Sequence, residues 1–245
     1  MKEIKLESKE FKRVLHNLHL ENLSLTPAMQ KEVLQLVNAN VSITPPLIMG
    51  LLQHGKYKKE KNDDYLLKHN LLGITSLKEL EIAEVLAFSL RATKLEQAGV
   101  HSISMTLKGF QDLHYYLFQD VYSFAGTFRD VQLMKGNTRF CQAQFLDSYA
   151  MDLFRELNEE PAWEGLDQAA VRLAYFKSEL NMLHPFREGN GRTVRMYLYA
   201  YAFTRNVEWA YETINREKYM QAVIQSVTDL EALRQLFKGT IQFID

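Results

Sequence analysis

The stretch His184-Pro185-Phe186-Arg187-Glu188-Gly189-Asn190-Gly191-Arg192-Thr193-Val194-Arg195 carries the chain's chemistry and fixes how two of its helices meet. Upstream, Leu173, Phe176, Leu180 and Leu183 recur at helical spacing. Pro185 disfavours the α conformation at His184, so that helix stops there. Gly189 and Gly191 flank Asn190, and without Cβ atoms in the way backbone N–H groups converge into a nest for anions. A second helix starts near Gly191 and runs through Leu198 toward Phe203, so its first N–H groups and its positive dipole end face the same spot. Arg192 and Arg195, three apart, share neighbouring surface, and guanidinium groups suit bidentate phosphate binding.

Two further residues give the stretch a reaction. Glu188 beside an anion nest is repelled by phosphate unless a divalent cation lies between them. Mg²⁺ is the natural ion, held by one carboxylate plus phosphate oxygens. His184, with an ordinary pKa near 6.5, accepts a hydroxyl proton at neutral pH. A lone histidine at a helix end is more often a cap or a packing residue, but these companions reverse those odds. Zinc fits poorly, because His184 and Glu188 flank a proline and cannot sit one turn apart on one helical face. A base, a metal ligand, an anion nest and two phosphate clamps make the inventory for attack on a nucleoside triphosphate.

Working outward, most of the chain reads as helix. Leu80, Ala83, Ala87, Leu90 and Leu95 follow helical spacing in a segment rich in helix formers. Asp167 is placed to cap the helix that leads to His184. Further helices are expected over 217–227 and 229–237, and before the catalytic region over 8–23 and 26–39, with Thr44-Pro45-Pro46 breaking the pattern. The exception is 127–140, where Val131 and Leu133 alternate with polar residues and Lys135-Gly136-Asn137 reads as a turn, the signature of a short hairpin. The fold class is all-α, a helical bundle with a small β-hairpin flap and an N-terminal helical extension. The charged run Lys56 to Asp64 marks a boundary, giving an extension over 1–62 and a main domain over 63–245.

Composition bounds the rest. The 245 residues are 47% hydrophobic with net charge -1, enough for a core and without a basic field for nucleic acid or an anionic membrane. No apolar run approaches the roughly 20 residues that span a bilayer. The single cysteine, Cys141, cannot build a disulfide framework and suits a reducing compartment. The charged N-terminus lacks the apolar core of a signal peptide. A cytoplasmic location is expected, although some secretion routes leave no N-terminal apolar mark.

The motif HPFREGNGRTVR resembles the Fic motif H-P-F-x-D/E-G-N-G-R-x-x-R without departure. The likeness extends to Leu113-His114, to Leu117 through Tyr122, to Phe124-Ala125-Gly126 with Arg129, and to Lys135-Gly136-Asn137-Thr138 with Phe140-Cys141. It covers most of the chain from about Asp63 onward. The resemblance implies a protein adenylyltransferase, moving AMP from ATP with Mg²⁺ onto a Tyr, Thr or Ser hydroxyl of a target protein. His184 would be the general base and Glu188 the Mg²⁺ ligand. Gly189, Asn190 and Gly191 would form the anion hole, with Asn190 at the α-phosphate, Arg192 at the β-phosphate and Arg195 at the γ-phosphate. The flap residues Lys135, Gly136, Asn137 and Thr138 would pair with an extended target segment. Gly189, Gly191 and Arg192 favour AMP transfer over the family's phosphate-transferring branch; UMP or phosphocholine donors stay open.

The resemblance also implies regulation. Asn17-Leu18-His19-Leu20-Glu21-Asn22 fits the family's inhibitory pattern S/T-x-x-x-E-G/N at Glu21 and Asn22, with Asn17 in place of Ser or Thr. Glu21 would then hold the Arg195 guanidinium; the other reading makes Glu21 one more exposed helix carboxylate. An antitoxin-like partner or a homo-oligomer could supply inhibition instead. Self-modification is a further expectation, with Tyr197, Tyr199, Tyr201 and Tyr211 as candidates against a packing role for the same rings. The competing functional reading is a catalytically silent nucleotide- or peptide-binding module, and His184 with both arginines intact weighs against it.

Overall fold

The computed structural model describes residues 2–52, 64–135 and 138–244. The chain forms two compact units, Met1–Val100 with His114–Thr127, and His101–Leu113 with Phe128–Asp245. The expected boundary at 62/63 lies outside the described residues.

The first unit is organised by the helix Leu77–Ala98, numbered α5 after α1 Lys9–His19, α2 Pro27–Asn38, α3 Pro45–Leu51 and α4 Asp64–His69. Leu80, Ala83, Ala87, Leu90 and Leu95 are all buried on α5, as their spacing predicts. The two N-terminal helices pack on it: α1 through Phe11, Val14 and Leu18, and α2 through Val33, Leu34 and Val37. Their apolar positions fall three and four residues apart, one stripe per helix. A buried ion pair fixes α1 on α5. Arg13 Nε lies 3.0 Å from Glu96 Oε1, and its Nη2 lies 2.6 Å from Oε2. Removing either partner leaves a buried charge, at a cost of about 3–5 kcal/mol.

The helical pattern breaks after Asn38, and Thr44-Pro45-Pro46 starts the shorter helix that follows. Thr44 accepts a hydrogen bond from the Leu47 amide at 3.4 Å, and Pro45 sits at the first helical position. There the missing proline N–H would have had no helical partner.

The second unit holds α7 Leu146–Glu159, α8 Leu166–Leu183, α9 Asn190–Thr204, α10 Arg216–Gln225 and α11 Glu231–Lys238. The helix α6, Leu107–Phe118, contributes its first residues here. Leu173, Phe176, Leu180 and Leu183 of α8 are fully buried, and α9 is buried on every side from Arg192 to Ala202. Phe110, Phe154, Phe186 and Tyr197 pack as tilted and T-shaped ring pairs with centroids 5.2–5.6 Å apart. Asp167 is not the cap of α8. Gly165 takes that position, and Asp167 sits in the first turn, paired with Lys238 Nζ at 2.6 Å.

The expected hairpin is present but short. Met134–Lys135 (β1) pairs antiparallel with Thr138–Arg139 (β2), so Val131 and Leu133 stand outside the ladder. A second small sheet, unexpected from the sequence, pairs β3 Val207–Trp209 with β4 Ile241–Phe243. It packs against α9, with Val207 and Trp209 fully buried. Among the described residues, no helix is long and apolar enough to cross a membrane. The architecture is all-α with two small β ribbons.

Candidate active site

The loop between α8 and α9 is built by its own side chains. His184 follows α8 in the left-handed region, φ 42°, ψ 56°, where Pro185 has pushed it out of the helical basin. Phe186 is fully buried against Phe110 and Phe128 and anchors the loop to the core. Asn190 staples the turn. Its Oδ1 accepts from the Phe186 amide at 2.9 Å, and its Nδ2 donates to the Phe186 carbonyl at 2.8 Å. Gly189 has φ 74°, a conformation an L side chain rarely adopts, and leads directly into α9. Gly191 lies in the first turn of α9. Thr193 closes that turn, its amide and hydroxyl both directed at the Gly189 carbonyl. The loop therefore presents the N-terminus of a long buried helix, as the nest requires.

Charged groups gather at this helix end. Glu188 is half-exposed; its Oε1 accepts from the Gly189 amide at 2.8 Å and lies 3.3 Å from Arg192 Nη2. Arg192 and Arg195 are buried, 1% and 3% exposed. The Arg195 guanidinium lies 6.0 Å from the centre of the Tyr219 ring, and Lys177 Nζ lies 5.6 Å from the same centre. Lys177 was not foreseen as part of the site. The signal was available, because it occupies a core-facing position of α8 seven residues before His184, on the same helical face.

The His184 ring stacks on Phe140, with centroids 3.7 Å apart and planes within 7°, and its Nδ1 is buried. Burial pushes its pKa down from 6.5 to about 4. The charges of Arg129, Lys135 and Lys177 push the same way, against the pull of the Asn181 carbonyl. The imidazole is therefore neutral at pH 7.

Phe140 belongs to the foot of the flap. Its amide donates to the Leu133 carbonyl at 3.3 Å, and Gln132 Nε2 donates to the Phe140 carbonyl at 2.9 Å. The strands themselves are solvent-facing: Met134 is 56% exposed, Lys135 is exposed and Thr138 half-buried. Gly136 and Asn137 lie outside the described residues. In the first unit, Glu21 is half-buried in the turn after α1, beside Asn22 with φ 64°. Tyr197, Tyr199, Tyr201 and Tyr211 are all buried, so the packing role is the one this structure gives them.

Residues 104–202 match the model of the Fic/DOC family. The chain is 34% identical over 172 residues to the protein adenylyltransferase VbhT of Bartonella schoenbuchensis, a match covering 67% of this chain and 36% of that longer protein. It is 30% identical over 190 residues to the probable protein adenylyltransferase Fic of Escherichia coli, covering 74% of this chain and 94% of that one. Among solved structures, the Fic domain of a Bartonella quintana effector with bound ADP superposes with a TM-score of 0.65 at 19% identity, over 79% of this chain and 95% of that one. The BepC protein of Bartonella tribocorum with bound AMPPNP gives 0.62 at 18% identity, over 72% and 92%. By the extent of these matches, the chain belongs to the Fic/DOC family.

Proposed function

We propose that this chain is a protein adenylyltransferase that moves AMP from ATP onto a Tyr, Thr or Ser hydroxyl of a target protein. The observation that carries the reading is a neutral, Phe140-stacked His184 next to a helix N-terminus flanked by two buried arginines. Gly189, Asn190 and Gly191 frame the anion nest, and Arg192 and Arg195 grip the outer phosphates. In the reaction, His184 takes the proton of the acceptor hydroxyl. The acceptor oxygen then bonds to the α-phosphorus, the bond from that phosphorus to the α–β bridging oxygen breaks, and pyrophosphate leaves. A base with a pKa near 4 is weak in the free protein. The bound triphosphate offsets the cations around it and raises its basicity when the donor is in place.

The residues fit Mg²⁺. Glu188 is a half-exposed carboxylate at the lip of the nest, and no group of three or more His, Cys, Asp or Glu gathers among the described residues, so most of the ion's ligands would be phosphate oxygens and water. When bound, the ion neutralises charge on the phosphates. The exposed flap strands around Lys135 and Thr138 suit pairing with an extended segment of the target.

The same proposal places the reaction in a cytoplasm and assigns Glu21 a restraining role. It stands in the turn that closes α1, a helix held on α5 by the Arg13–Glu96 pair. Self-modification belongs to the proposal only at exposed hydroxyls such as that of Tyr115. The test uses ATP labelled at the α-phosphate with a cell lysate as target source. Label passes to protein with the wild type and is lost with His184→Ala, which keeps ATP binding. Equal labelling by both proteins removes His184 as the base.

A further inference from the structure

Arg129 is 3% exposed, and its side chain donates hydrogen bonds to three backbone carbonyls. Its Nη1 donates to the Val131 carbonyl at 2.5 Å and its Nη2 to the Cys141 carbonyl at 2.6 Å, the two residues that bracket the flap. Its Nε donates to the carbonyl of His184 at 2.8 Å, and its own amide to the carbonyl of Pro185 at 2.8 Å. The Cys141 amide completes the seam by donating to Met182, on the last turn of α8, at 2.9 Å. One planar guanidinium thus bridges both feet of the flap and the backbone of the proposed base. Lysine, with a single tetrahedral nitrogen, cannot span three such carbonyls.

We propose that Arg129 is the positioning residue of this site, setting the flap against the catalytic loop so that acceptor docking and His184 placement are one geometry. The proposal rests on the adenylyltransferase reading for its consequence in turnover, but its structural content stands without it. A merely structural arginine would stiffen one loop. Here the side chain couples an element that would receive the target to the element that would accept its proton, so loss of the fork decouples them.

The charge has a second effect. Burial and the neighbouring Arg187 lower the pKa of Arg129 itself, with the Cys141 thiol acting in the other direction. The guanidinium stays cationic because arginine does not deprotonate in proteins. The charged groups that face His184 are Arg129, Lys135 from β1 and Lys177 from α8, all positive. Arg129 therefore helps keep the imidazole neutral.

Two variants of the full chain separate these effects. Arg129→Lys keeps the charge and loses the fork; Arg129→Gln loses both. The readouts are amide hydrogen exchange at Cys141 and NMR titration of the His184 ring. Both variants are expected to speed exchange at Cys141 by about tenfold or more, while Leu198 and Ala200 inside α9 exchange as in the wild type. Only Arg129→Gln should raise the His184 pKa above its wild-type value of about 4. With a target protein, KM for the acceptor should rise about tenfold in both variants while KM for ATP stays within about twofold. Wild-type exchange at Cys141 in both variants overturns the proposal. So does faster exchange at Cys141, Leu198 and Ala200 alike in Arg129→Lys, the mark of general loosening. If the wild type transfers no AMP, the adenylyltransferase reading fails alone, and the exchange and titration results still decide the role of Arg129.

Discussion

Replacing His184 by asparagine changes how the protein responds to acid. Asparagine tolerates the left-handed backbone that position 184 requires, so the substitution removes the imidazole without straining the loop. In the wild type the ring titrates at about 4 in the fold and at 6.5 in the unfolded chain. Between those values the unfolded chain holds a proton that the folded one does not, so folding stability rises with pH across the window. The contribution is fully present above about 6.5 and is lost as pH falls through about 4. At roughly 1.4 kcal/mol per pKa unit, the gap amounts to on the order of 3 kcal/mol. The assay is urea unfolding of both proteins at a series of pH values from 7 to 4. Every other titrating group is common to the two, so the difference between the curves isolates residue 184. The wild type should lose about 3 kcal/mol more than His184→Asn over this range. Parallel curves would mean that the ring is solvated and titrates near 6.5, and the stacked, half-buried geometry of the base would be wrong.

The remaining predictions concern its neighbours. Glu188→Ala should lower AMP transfer by roughly 10²-fold and abolish its response to Mg²⁺; activity in EDTA equal to that in Mg²⁺ removes the metal role. Asn190→Ala strips two hydrogen bonds from the buried Phe186 backbone and should cost about 2–4 kcal/mol of stability along with ATP affinity; a loss under about 1 kcal/mol in denaturant unfolding would mean that Asn190 does not hold the loop. Glu21→Gly should raise AMP transfer at fixed ATP by roughly tenfold or more; an unchanged rate in a folded variant would assign the turn after α1 some other task.

The site was legible where local chemistry is self-contained. Pro185, Gly189 and Gly191 dictate backbone conformations within a few residues, so the helix stop before Pro185 and a helix start near Gly191 were legible, and the structure places them at Leu183 and Asn190. The long helices were legible for the same reason, since a buried face repeats every three to four residues. What the sequence did not show is long-range. The β3–β4 ribbon joins two three-residue segments separated by more than thirty residues, too short for alternation to stand out. Asn190 reads as an anion-hole residue, yet its amide is occupied by the Phe186 backbone. Arg129 falls in the stretch that resembles the family, but its bridging role carries no sequence signature, because its partners are carbonyls, which every residue has. The low pKa of His184 arises first from burial and then from the charges of Arg129, Lys135 and Lys177; of its neighbours, Phe140, Arg129 and Lys135 reach the ring only through long-range packing.

The central claim is that the group transferred is AMP. Intact mass spectrometry measures this directly on target protein recovered after incubation with this chain, ATP and Mg²⁺. The account predicts a mass gain equal to one adenylyl group on the target, absent when His184→Ala replaces the wild type. A gain equal to one phosphoryl group, or an adenylyl gain undiminished in His184→Ala, would contradict it.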